Sequence, residues 1–128
     1  IHADSPFDTL NRLETLTLMS KVELPLHALR AQIASALDVL VQVSRHIGGK
    51  RMITQITEID PMENSEHYKL RDIFMLEPAP TPEDDKAMQL KWTGERSSLA
   101  GKLKPDEVQF VSELSAPVFD VDLATVSQ

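Results

Sequence analysis

Apolar residues in the first third of the chain recur at helical spacing. Leu10, Leu13, Leu16 or Thr17, and Leu18 make one stripe, which predicts a helix over residues 5–19. Ser5 is placed to cap it, Pro6 suits its first position, and Asp8 can close a capping box with Ser5. Asp8 and Arg12 are spaced as an i,i+4 pair on the polar side. Pro25 opens a second helix to about residue 36, with Leu26, Leu29, Ile33 and Leu37 as its seam. After Asp38 the period changes: Val39, Leu40, Val41 and Val43 read as a strand buried on both faces. Gly48-Gly49 marks a turn, and residues 51–59 alternate with period two, as a half-buried strand does. A polar stretch over 60–67 leads to an apolar run at 68–76, read as a third strand or a strand with a short helical turn.

Pro78, Pro80 and Pro82 stand beside Glu83-Asp84-Asp85, so residues 77–94 read as a proline- and acid-rich linker or extended crossing. Residues 95–128 read as an acidic, mostly helical extension. A short helix is expected at 97–103 and another from Pro105, with Val108, Val111 and Leu114 on its buried side. Val118, Phe119, Val121, Leu123 and Val126 follow, as a strand or a docked tail. Residues 1–76 form the main body, and its valine-rich strand wants neighbours that two helices and a meander hardly supply. The well-specified helix start so close to Ile1 likewise makes the chain look like part of a larger protein.

The 128 residues are 41% apolar and 26% charged, as in a folded domain with one modest core. The net charge of −7 is uneven: residues 1–76 carry 8 basic and 10 acidic residues, residues 77–128 carry 5 and 10. The tail should therefore repel nucleic acid and anionic lipid. With no cysteine, disulfides and thiolate metal sites are excluded. The other histidines, His27, His46 and His67, lack metal-ligand spacing. No apolar run is long enough to cross a bilayer and no signal peptide opens the chain, which points to a cytoplasmic location. Neither a Gly-x4-Gly-Lys-Ser/Thr loop nor a dinucleotide glycine fingerprint occurs, and no serine or threonine stands in a recognisable nucleophile motif. Arg45-His46 and Lys50-Arg51 bracket the glycine turn as one basic cluster, without the interleaved aromatics of a nucleic-acid surface.

Three stretches carry a resemblance. Ile-His-Ala-Asp-Ser-Pro-x-Asp-x-Leu-x-Arg-Leu-Glu at 1–14, Leu-Pro-x-x-Ala-Leu-Arg-x-Gln-Ile-Ala-Ser-Ala at 24–36, and Asp-Val-Leu-Val-Gln at 38–42 are similar to the C-terminal part of CpaF/TadA-type secretion ATPases. These belong to the wider type II/type IV secretion superfamily that includes the PilT group. Residues 49–59 and Leu70-Arg71-Asp72-Ile73-Phe74 continue the match, which is thin beyond Leu76. The resemblance implies an α/β fold: the C-terminal portion of a RecA-like P-loop ATPase core, two helices followed by a strand meander, with a small helical tail. It implies a ring hexamer that hydrolyses ATP with Mg²⁺ to power pilus assembly or secretion, bound to the inner membrane through partner proteins. The phosphate loop and the magnesium-linked acidic motifs would lie upstream of Ile1, so the isolated chain is expected to be inactive. His2 maps to the end of the family's His box, near the γ-phosphate. Arg12, Arg30, Arg45 and Arg51 map to nucleotide-proximal or inter-subunit positions. Phe7 departs from the family, standing where a basic residue is common. The competing class is a non-catalytic adaptor of a secretion or pilus system, working through the poorly matching region 77–128.

Overall fold

The structure is a computed structural model that describes residues 1–20, 23–46, 48–62, 64, 66–84, 86–102 and 104. Two helices come first, α1 (Pro6–Leu18) and α2 (Leu26–Ala36). Four strands follow, β1 (Val39–Arg45), β2 (Arg51–Asp60), β3 (Lys69–Pro78) and β4 (Met88–Trp92), and then a 3₁₀ turn at Leu99–Lys102. The expected helix from Pro105 and the apolar tail lie outside the described residues.

The Ser5 hydroxyl accepts from the Asp8 amide at 3.1 Å, and Pro6 occupies the first turn of α1. The box closes one residue early, because the Asp8 carboxylate accepts from the Asp4 amide rather than from Ser5. The stripe is only half used: Leu10 is fully buried, whereas Leu16 and Leu18 are exposed. In α2 only Leu29 is fully withdrawn from water, and Leu26 is exposed.

The strands pair β1-β2-β3-β4 in chain order and every ladder is antiparallel. This overturns the expected portion of a RecA-like P-loop core. Such a core needs parallel strands joined by crossover helices; here both helices precede the sheet, and hairpin links leave nothing parallel. The result is a small α/β domain with an open antiparallel sheet. Gly48 and Gly49 make the first hairpin turn with φ of 93° and 82°, backbone that only glycine adopts without strain. β4 arises inside the stretch read as a linker. The prolines sit instead at the end of β3 and in the β3–β4 loop, which Ala79 closes by donating to the Ala87 carbonyl at 2.8 Å.

Register and alternation divide the sheet into two faces. Gln42, Thr57 and Ile59 share the covered face, where the Gln42 amide donates to the Ala3 carbonyl at 2.8 Å and ties down the segment before α1. On the other face, Val41, Ile56, Phe74 and Trp92 lie opposite one another in a row across all four strands. The expectation that β1 is buried on both faces therefore fails. β1 is an edge strand, its most buried residue is the polar Gln42, and Val41 and Val43 are 53% and 50% exposed. Helices cover one face only; on the other, Val41, Val43 and Ile53 are exposed while Ile56, Phe74 and Trp92 are half-covered. The buried apolar residues among those described are Leu10, Leu29, Ile59 and Ile73.

Candidate functional site

A cleft of about 470 Å³ runs along the outer edge of β1. Ile1, His2, Ala3 and Asp4 form one wall, Thr9 and Arg12 of α1 contribute from the helix, and residues 39–43 form the other wall. Five consecutive strand residues line it because β1 has no strand neighbour on that side among the described residues. The Gln42–Ala3 bond holds the walls together. His2 is exposed here. Arg12 donates through Nε to Asp8 at 3.1 Å. The Asp4 amide and Arg12 together hold the Asp8 carboxyl below its ordinary range.

The other three arginines are elsewhere. Arg30 of α2 donates through Nε to Glu14 of α1 at 2.8 Å and through Nη1 to the Glu66 carbonyl, which makes it a brace between the helices and the β2–β3 connection. The Glu14 hydrogen bond raises the Arg30 guanidinium pKa further. Tyr68 joins this corner with a buried hydroxyl that finds no hydrogen-bond partner; burial, then the Glu14 carboxylate, pushes its phenol well up. Arg45 and Arg51 are cross-strand partners at the exposed hairpin end. Two like charges opposite each other repel, so an acidic group would be welcome there. The sequence-derived set is thus brought together only in part: His2 and Arg12 share a cleft, Arg45 and Arg51 share a hairpin end, and Arg30 is a half-buried brace apart from both.

The most developed polar cluster was not singled out from the sequence. Glu58 and Asp60 of β2 share a face two residues apart, and Arg71 of β3 lies in register with Glu58. Arg71 Nε reaches both Asp60 oxygens at 2.9 and 2.8 Å, while Nη2 reaches Asp60 at 2.7 Å and Glu58 at 3.1 Å. Its Nη1 donates to the Arg96 carbonyl. Glu58 also accepts from the Ser97 hydroxyl, and at 3.0 and 3.1 Å from the amide and hydroxyl of Ser98. Glu58 and Ser97 are each 3% exposed and Asp60 8%. The Asp60 hydrogen bonds raise the Arg71 guanidinium pKa further. The signal was the acidic pair at i,i+2 on β2 facing a lone arginine on the next strand. Chemically this is a structural node: every oxygen of the two carboxylates accepts from at least one donor, and the acids are paired with Arg71.

Neither a family model nor a curated protein matches this chain. Among the described residues no group of three or more acidic or histidine ligands could hold a metal, and no helix is long and apolar enough to cross a membrane.

Proposed function

We propose that this chain is a non-catalytic portion of a CpaF/TadA-type secretion ATPase, coupling nucleotide state to subunit contact. In this reading ATP and Mg²⁺ are bound by sequence upstream of Ile1. The intact protein forms a ring hexamer, and it sits in the cytoplasm, held to the inner membrane by secretion or pilus-assembly partners. The reading rests on the motif residues and needs no parallel core in this chain. The observation that carries it is the cleft. His2, the residue that the resemblance puts beside the γ-phosphate, is two peptide units from the Ala3–Gln42 bond and shares its groove with Arg12. A displacement of His2 would therefore pull on β1 directly. The exposed Val41, Val43 and Ile53 at the open end of the sheet support the second reading, an interaction module without turnover.

Phosphate release separates the two. The chain alone should give none with Mg-ATP, while the full polypeptide should hydrolyse ATP in a Mg²⁺-dependent way. In the full polypeptide His2→Ala should lower kcat by about tenfold or more with ATP binding retained. Gln42→Ala should lower kcat less, because Gln42 positions the His2 segment without reaching the nucleotide. A full polypeptide without turnover, or with turnover indifferent to His2, overturns the motor reading in favour of the module.

A further inference from the structure

We propose that the outer edge of β1 is a self-pairing surface, on which a second copy of this chain adds its own β1 antiparallel about a two-fold axis at Gln42. This does not depend on the ATPase reading. Three observations select a second copy as the occupant. The edge's backbone is unpaired: β1 bonds to β2 on one side, and on the other, where residues 1–4 and α1 wall the cleft that a second strand would enter, no backbone group among the described residues pairs with it. Its sequence carries few of the usual defences, and its one irregularity is the register shift against β2 between Gln42 and Val43. Residues 39–44 contain no lysine, proline or charge, whereas β4, the opposite edge, is only five residues long, carries Lys91 and follows a proline-rich loop.

The edge is self-complementary as well. Val41 and Val43 flank Gln42 symmetrically, so antiparallel pairing centred there sets Val41 of each copy opposite Val43 of the other, on the open face where both are about half exposed. The same register sets Asp38 at the start of one strand against His46 of the other, with Arg45 one residue away. The row Val41–Ile56–Phe74–Trp92 would then continue across the seam into an eight-stranded sheet. An isologous contact of this kind closes at two copies, which distinguishes it from a head-to-tail ring contact.

Because the chain has no cysteine, introduced thiols report the register directly. Directly opposed strand residues lie about 5 Å apart at Cα, within disulfide reach, whereas a two-residue offset is not. Val41→Cys chains mixed with Val43→Cys chains should give disulfide-linked heterodimers under mild oxidation, and each chain alone should give few dimers. Sedimentation equilibrium of the unmodified chain should show monomer and dimer. Val41→Lys combined with Val43→Lys should weaken the dimer roughly a hundredfold while leaving the far-UV circular dichroism unchanged. A strictly monomeric chain at ~100 μM overturns the proposal, and so does cross-linking that is equal in the mixed and unmixed samples.

Discussion

β2 is one strand with two environments. Residues 57–60 are all buried, while Arg51 and Ile53 are exposed and Met52 and Thr54 only half-covered. At the closed end the strand buries two carboxylates; at the open end it shows water an isoleucine beside a pair of exposed valines. The usual distribution is inverted, and the cause is what lies above each half. Residues 96–98 fold back over the closed end because Glu58 offers acceptors to Ser97 and Ser98, and Arg71 donates to the Arg96 carbonyl. No described segment does the same over Val41, Val43 and Ile53. Directional polar bonds thus decide where the chain closes, and non-directional apolar surface is left where a partner can dock.

The closed end should break hardest. Arg71→Met leaves Glu58 and Asp60 buried without their cation, and should cost about 3–5 kcal/mol in urea denaturation. Replacing Glu58 by Gln and Asp60 by Asn in the same chain should recover part of that loss, since the uncompensated charge is then gone. A loss of under ~1 kcal/mol for Arg71→Met would mean that the node does not hold the sheet together.

Arg30→Ala comes next. It strips Glu14, whose side chain is 9% exposed, of its partner. Because Arg30 itself is a quarter exposed, water can return, and a loss of about 1–2 kcal/mol is expected from the same measurement.

Tyr68 sharpens the contrast from the other side, as a polar atom the closed region fails to satisfy. Tyr68→Phe should be neutral or stabilise by up to about 1 kcal/mol. The pH dependence has a definite sign. Its folded pKa is raised from the ordinary 10.0, so below about pH 10 the phenol is neutral in both states and its contribution is complete. Above that pH the unfolded chain ionises first and stability falls as pH rises. Urea midpoints measured between pH 8 and pH 11 should fall less steeply for Tyr68→Phe than for the parent chain.

The smallest effect belongs to the open end. Val41→Lys should change the stability of dilute monomer by no more than about 0.5 kcal/mol, because that side chain is already half in water. A larger loss would mean that the face is covered.

These two regions were unequally legible in the sequence. Elements marked by local chemistry could be read closely: the Ser5-Pro6 start of α1, the Gly48-Gly49 turn, and the period-two run of β2. Direction and coverage could not, because they depend on which strand becomes an edge. The valines of β1 look like a doubly buried strand in isolation, and only the strand order puts them on a rim. Resemblance drew the fold towards a parallel core, whereas short hairpin connections after residue 45 admit only antiparallel neighbours. Prolines at 78, 80 and 82 suggested a linker because they deny ladder donors, yet they bound a hairpin whose second strand begins at Met88. Of the candidate residues, His2 and Arg12 were marked by the motif at 1–14, whereas the cleft that both line was not. Nor was the Glu58–Asp60–Arg71 node, since its members lie on two strands and its donors come from residues 97 and 98, 37 or more positions beyond the acids.

Native-state amide hydrogen exchange compares the two halves of β2 most directly. Amides of residues 57–60, with those of 70–73 beside them, should exchange only through global unfolding, at the free energy that urea denaturation gives. Amides of residues 51–54 should exchange through local openings that cost several kcal/mol less. Equal protection along β2 in dilute monomer would contradict the account, because both ends would then be closed to the same degree.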